Sequence, residues 1–301
     1  YWYQCKWWGG GLILNPTTSP AIALKCPICD GQLHTTDTIG KVYRCSNQHS
    51  FDVAREGYLN LHLAQHKRSK NPGDSDQMMR SRQRFLNGGY YQALADGIIS
   101  ALIKTPLGFQ QTLLDIGCGE GYYLQQLRDA AMSGDANLQL LGLDISKIGV
   151  RLAAKGALNA QLIVGSAYKL PLFGNSIDTA LSVFSPICPN ETTRVLSTGG
   201  ILIMVGPGEE HLTGLTSYIY DQHQPHEGNF KAMDEHPSFS LQSQIQIKSM
   251  ITVKGTDIFD LLTMTPYYWH STANQQEKLS SLDQLITPIH FYLRVYQKVT
   301  S

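Results

Sequence analysis

A chain of 301 residues, 42% hydrophobic and formally neutral, can hold one large domain plus a small module. With no apolar run near the ~20 residues that span a bilayer, no membrane-spanning helix is expected. The charge is uneven: residues 1–84 carry 11 Lys/Arg against 6 Asp/Glu and residues 85–301 carry 13 against 18, so a front of +5 meets a back of −5. A basic front suits a polyanionic partner or a solvated face.

Residues 1–23 lack a charged segment followed by an apolar one and hold three of the four tryptophans. They read as a tail outside the fold rather than a signal peptide. From residue 24 the pattern changes. Cys26-Pro27-Ile28-Cys29, then Cys45, then His49 give C-x2-C-x15-C-x3-H, four ligands of the kind a tetrahedral structural zinc takes, with no position left open for water. A zinc-binding module over 24–62 follows, with a short strand at 41–44. Its few apolar residues make metal binding a large part of its folding free energy. Cysteines gathered around a metal site, rather than spread as a disulfide framework, point to a reducing compartment and a cytoplasmic protein. Phe51–Leu63 reads as a connector with aromatic anchors.

Residues 63–84 hold Lys67, Arg68, Lys70, Arg80, Arg82 and Arg84 against Asp74 and Asp76, with a turn at Pro72-Gly73 and helical composition from Asp76 to Asn87. Phosphate contacts dominate nucleic-acid affinity, so the segment suits RNA; a solvated linker accounts for the same charges. A helix is expected over 85–104. Beyond it, strands and helices alternate: strands at 111–116, 138–143, 161–164, 176–184 and 201–205, helices at 122–131, 146–155 and 190–196, and a helical pattern around 211–220. Two late strands, 244–253 and 289–299, flank helical stretches at 256–262 and 274–285. Alternation of this kind indicates a doubly wound, mainly parallel α/β sheet over residues 85–301.

The glycine turn of that sheet is Asp115-Ile116-Gly117-Cys118-Gly119-Glu120-Gly121. Glycines let backbone approach a ligand closely, and the helix that follows offers unpaired N–H groups. The spacing is G-x-G-x-G, unlike the G-x-G-x-x-G of dinucleotide sites. Asp115 suits a cationic or hydroxyl-rich ligand better than a phosphate, and doubles as a structural tie to the backbone N–H groups of the turn. S-adenosylmethionine (SAM) is therefore the expected cofactor. Asp144, at the end of the second strand, is placed to accept hydrogen bonds from ribose hydroxyls.

Read together, CPIC, CSNQHSFDVAREGYLNL, HKRSKNPGDS, MMRSR, FLNGGYYQAL, LLDIGCGEGYY, GLDISK, KLPL and MTPYYW resemble the bacterial 23S rRNA (guanine-N1)-methyltransferases over roughly residues 24–298. The resemblance implies a Rossmann-like SAM methyltransferase sheet behind a zinc module, a guanine in a 23S rRNA hairpin loop as target, and zinc on Cys26, Cys29, Cys45 and His49. It places cofactor contacts on Tyr91, Gly119-Glu120 and His211; Asp115, Gly117, Gly121 and Asp144 join them from the turn and strand positions. RNA contacts are expected from Lys67, Arg68, Lys70, Arg80 and Arg82. The chain departs from its relatives at Glu209-Glu210, where they carry arginine, and at Phe184-Ser185-Pro186, where they carry Tyr-Ala-Pro. No catalytic residue is singled out: Glu120, Glu56 or a water could take the N1 proton. A homodimer is left open. Two other functions compete: a small-molecule SAM methyltransferase, and a zinc-dependent RNA-binding protein without activity.

Overall fold

A computed structural model describes residues 22–36, 40–63, 65, 72–132, 137–156, 158–222 and 228–299. Most of the tail, and Lys67, Arg68 and Lys70 of the basic segment, lie outside the described residues.

The zinc module is a four-stranded antiparallel sheet of β1 (Leu24–Lys25), β2 (Gln32–Thr35), β3 (Val42–Arg44) and β4 (Ser50–Asp52). Next come β5 (Tyr58–Asn60), α1 (Asp76–Asn87), α2 (Gln92–Ile103), β6 (Thr112–Ile116), α3 (Tyr122–Ala131), β7 (Gln139–Asp144), α4 (Lys147–Lys155), β8 (Gln161–Val164), β9 (Ile177–Val183), α5 (Pro189–Val195) and β10 (Leu196–Pro207). The chain finishes through α6 (Thr213–Thr216), α7 (Lys231–Asp234), β11 (Phe239–Lys254), α8 (Thr256–Thr263), α9 (Tyr267–His270), α10 (Ala273–Ser280) and β12 (Gln284–Lys298).

The large sheet has the order β11-β12-β10-β9-β6-β7-β8-β5. Strands β5 to β10 within it run parallel, and β12 and β11 add antiparallel pairings. The chain winds from β6 outward through β7 and β8, then returns to β9 and β10, so β6 and β9 frame the switch point where such sheets bind ligands.

Alternate strand residues face opposite layers. Leu113, Leu140, Leu162 and Leu181 pack with Leu94, Ile98 and Leu102 of α2, Leu124 and Leu127 of α3, Val150 of α4 and Leu261 of α8. On the other face, Leu114, Leu141, Ile163 and Leu202 pack with Leu24 and Leu33 of the zinc module, Leu170, Leu172, Val195 and Met233. The zinc module thus serves as part of the second covering layer. It is fastened there by an isolated bridge between Leu24 and Leu172 and by Lys25 N–H donating to Pro171 O at 2.9 Å.

Three sequence readings change. The stretch 85–104 is two helices. Gly88 closes α1 by donating to Arg84 O and Phe85 O, and Gly89, at φ +79°, turns the chain before α2. The connector Phe51–Leu63 contains β5, the edge strand of the large sheet, in register Tyr58↔Leu162 to Asn60↔Val164. Three residues are too short for a period-two pattern to register. The helical pattern around 211–220 yields one turn, α6, because Leu212 adopts φ +58°.

Candidate metal centre and cofactor cleft

In the zinc module, the turn after β1 presents Cys26 and Cys29, and the turn between β3 and β4 presents Cys45 and His49. Their ligand atoms all lie within 4.8 Å of one another. Cys29 Sγ lies 3.6 Å from Cys45 Sγ, Cys26 Sγ 3.6 Å from His49 Nδ1, and Cys45 Sγ 3.4 Å from His49 Nδ1. A tetrahedron with metal–sulfur bonds of about 2.3 Å has edges of about 3.8 Å, so the four atoms fit one zinc ion. The backbone N–H of Gly31 is the largest influence on the Cys29 thiol, drawing it down to about 6 and favouring the thiolate that zinc needs.

The glycine turn sits at the carboxyl end of β6. Gly117, Gly119 and Gly121 have φ of +84°, +54° and +88°, which side-chain-bearing residues rarely adopt. A Cβ on Gly117 would run into the Ser185 side chain, and one on Gly121 would lie 2.6 Å from Leu158 Cδ1. The turn is held by the end of β7. Gly117 N–H and Cys118 N–H donate to Leu143 O at 2.7 and 3.1 Å, and Gly119 N–H donates to Asp144 Oδ2 at 2.9 Å. Asp144 Oδ1 accepts from Ser146 N–H at 2.7 Å. Each carboxylate oxygen has a second lone pair for a ribose hydroxyl.

The tie expected of Asp115 is therefore made by Leu143 and Asp144. Among the described residues the Asp115 carboxyl accepts no hydrogen bond, and burial followed by the charges of Asp144 and Glu120 pushes it well above the usual range. Glu120 is 8% exposed. Its Oε2 is buried with no hydrogen-bond partner among the described residues, and burial pushes its carboxyl up to about 7 against the opposing pull of Arg82. An orphaned buried carboxylate oxygen marks the place of a missing donor. SAM, with its ammonium and sulfonium charges, suits such a cleft.

Tyr91, His211 and Phe184 cluster together. His290 N–H donates to His211 Nδ1 at 3.3 Å, so a neutral His211 carries its proton on Nε2, 3.4 Å from Tyr91 Oη. Phe291 packs between them, with ring centroids 5.0 Å from Tyr91 and 4.8 Å from His211. Phe184 stacks on His211 at 6.1 Å and 23° and stays 45% exposed. It holds φ +54° at the end of β9, a strained state for an aromatic residue of the sort that functional sites keep.

The arginines of α1 separate. Arg80 is exposed and pairs with Asp76 at 2.9 Å, and Arg84 pairs with buried Asp260 at 2.5 Å. Arg82, expected with the RNA contacts, turns inward instead. It pairs with Asp74 at 2.5 Å, donates to Met264 O at 3.4 Å, and stands 3.7 Å from where a Gly119 Cβ would lie. The reason is helical phase: Arg82 follows Met79 by three positions, on the face that buries Met78, Met79, Phe85 and Leu86. That periodicity was a signal in the sequence, masked by the run of basic residues. Glu56 precedes β5 at the amino end of the parallel strands, opposite the cleft, so it is no proton acceptor there.

Known proteins match two parts of the chain. The RlmA N-terminal zinc-ribbon family matches residues 24–70, and a methyltransferase-domain family matches residues 113–200. A protein of Streptomyces fradiae named 23S rRNA (guanine(748)-N(1))-methyltransferase is 29% identical over 255 residues, spanning 84% of this chain and 88% of the relative. YxjB of Bacillus subtilis is 28% identical over 263 residues, spanning 86% and 91%. The crystal structure of YcgJ from Bacillus subtilis superposes with a TM-score of 0.47 at 16% identity, over 69% of this chain and 98% of that one. Fold, cleft and metal centre together define a SAM-dependent methyltransferase with a structural zinc ribbon. It carries an N-terminal zinc ribbon of the RlmA kind and a methyltransferase domain, and over most of its length it is similar, at 28–29% identity, to proteins named 23S rRNA (guanine-N1)-methyltransferases.

Proposed function

We propose that this protein transfers a methyl group from SAM to N1 of one guanine in a hairpin loop of 23S rRNA, in the cytoplasm. The observation that carries the reading is the similarity to the Streptomyces relative, which spans 84% of this chain and 88% of the relative, beside a zinc ribbon matched over residues 24–70. Bound SAM supplies a methyl group on a sulfonium, ready for in-line displacement. The chain's own task is orientation and charge. Asp144 holds ribose hydroxyls, and Gly117–Gly121 lets the cofactor lie against backbone. The N1 edge of guanine faces its pairing partner in a helix, so the base must come from a loop or be extruded. Phe184 offers an open aromatic face beside the turn on which such a base can stack. Lys67, Arg68, Lys70 and Arg80 would take backbone phosphates.

A small-molecule methyltransferase needs neither ribbon nor basic segment, and an inactive RNA-binding protein needs no cleft with an orphaned carboxylate. The test is charge reversal of Lys67, Arg68 and Lys70 to Glu. Methylation of 23S rRNA should be abolished while SAM affinity by calorimetry stays within about twofold; unchanged methylation would reduce the segment to a linker.

A further inference from the structure

His290, in β12, meets one turn with three of its polar groups. Its carbonyl accepts from Gly208 N–H at 2.8 Å, its ring Nδ1 accepts from Glu210 N–H at 3.3 Å, and its own N–H donates to His211 Nδ1 at 3.3 Å. The other ring nitrogen, Nε2, meets the Gln246 carboxamide of β11 at 2.7 Å. His290 is buried, and a Cβ on Gly208 would lie 2.5 Å from its Cδ2, so the glycine lets the turn close on the imidazole. Lys248, opposite His290 in the β11–β12 register, holds the far end of Glu210, Nζ to Oε1 at 2.5 Å. The acidic pair at which the sequence departs from its relatives is thereby anchored: Glu210 is tied by its backbone to β12 and by its side chain to β11.

The turn delivers His211 to the aromatic cluster. His211 Nε2 lies 3.4 Å from Tyr91 Oη, and its ring stacks on Phe184. A Cβ on Gly117 would run into Ser185, the next residue, so the cluster adjoins the glycine turn. Neighbours in a strand face opposite sides: Phe291 packs on the His211 ring at 4.8 Å, while the His290 ring grips the turn that carries it. We infer that His290 is a positioning residue for methyl transfer, acting through His211: its imidazole fixes the 207–211 turn so that His211 stays against Tyr91 and Phe184. The link to methyl transfer rests on the function proposed above; the link to His211 does not.

His290→Leu removes the acceptor and keeps most of the bulk. His290→Asn keeps an acceptor, since its side-chain oxygen can take the place of Nδ1. NMR of the full chain loaded with zinc, with labelled histidines, reads the place of His211 from its ring-proton shifts, which the ring currents of Phe184 and Phe291 displace. In His290→Leu these shifts should move toward free-imidazole values; in His290→Asn they should stay near those of the unmodified protein. Methylation of 23S rRNA gives a second reading. His290→Leu should lower kcat/KM by about 5- to 150-fold, the range for a buried N–H left without its acceptor, and His290→Asn by less than about threefold. On a His211→Ala background, His290→Leu should cost less than about twofold, because nothing is left to position. If His290→Leu does not fold, Lys248→Ala at its half-exposed position replaces it, with smaller shifts in the same direction. Unmoved His211 shifts, equal effects of His290→Leu and His290→Asn, or costs that add on the His211→Ala background overturn the inference. An unmodified protein that leaves 23S rRNA unmethylated would contradict the proposed function instead, and the ring-proton shifts would still decide the role of His290.

Discussion

Glu120 makes the cofactor affinity depend on pH. Burial raises its carboxyl from 4.5 to about 7 in the SAM-free protein, so below pH 7 most molecules carry a proton on this carboxyl and offer the cofactor's cationic groups no negative charge there. About 3% of the carboxyl is ionised at pH 5.5 and about half at pH 7. If binding requires the ionised form, Kd falls about 15-fold across that window. The window ends below about 7.7, where an α-amino group begins to lose its own proton. The SAM-free protein gives a second reading with a defined sign. The unfolded chain releases this proton near 4.5 and the folded chain keeps it to about 7, so stability declines as pH rises between those values. The decline is about 3 kcal/mol and levels off above pH 7. Calorimetry at half-unit steps from pH 5.5 to 7, repeated in two buffers of different ionisation enthalpy, measures both the affinity and the proton released. Glu120→Gln should flatten the profile. A wild-type Kd constant within twofold, or a slope that persists in the Gln variant, refutes the role given to Glu120.

Two further outcomes follow from the same geometry. Phe184→Ala should lower kcat/KM for rRNA by about 5- to 150-fold, the loss of one base–aromatic stack, with SAM affinity unchanged; Phe184→Trp should restore it, and equal activity of all three would remove Phe184 from the base site. Stripping zinc, or Cys29→Ser, should release Leu24 and Leu33 from the second face of the sheet. At about 1.5–3 kcal/mol for each buried leucine, a Tm drop of several degrees should accompany loss of one zinc per chain by elemental analysis. A chain that keeps its Tm without zinc would contradict the packing of the ribbon into the core.

Much of this was legible because it is encoded locally. The spacing of Cys26, Cys29, Cys45 and His49 carries its own geometry, and the three glycines need positive φ whatever surrounds them. Helix α3 and strand β8 fall where periodicity places them, at Tyr122–Ala131 and Gln161–Val164. What was hidden depends on contacts distant in sequence. Arg82 looks like its neighbours until Asp74 and Met264 are seen to hold it inward. Asp115 looked like the tie of the turn, a task that Asp144 performs from the adjacent strand. Strand β5 has only three residues and exists because β8 offers an edge. Phe184 gave no sign of its positive φ, since no local rule places a bulky residue there.

The central claim is a methyl group on N1 of one guanine of 23S rRNA. It is tested most directly by mass spectrometry of nuclease fragments of 23S rRNA from cells with and without the gene. The expected result is one fragment lighter by a single methyl in the deletion strain, with the methyl mapping to guanine N1 and returning when purified protein and SAM are added. Identical fragments from the two strains, or a methyl on another base or atom, would contradict it.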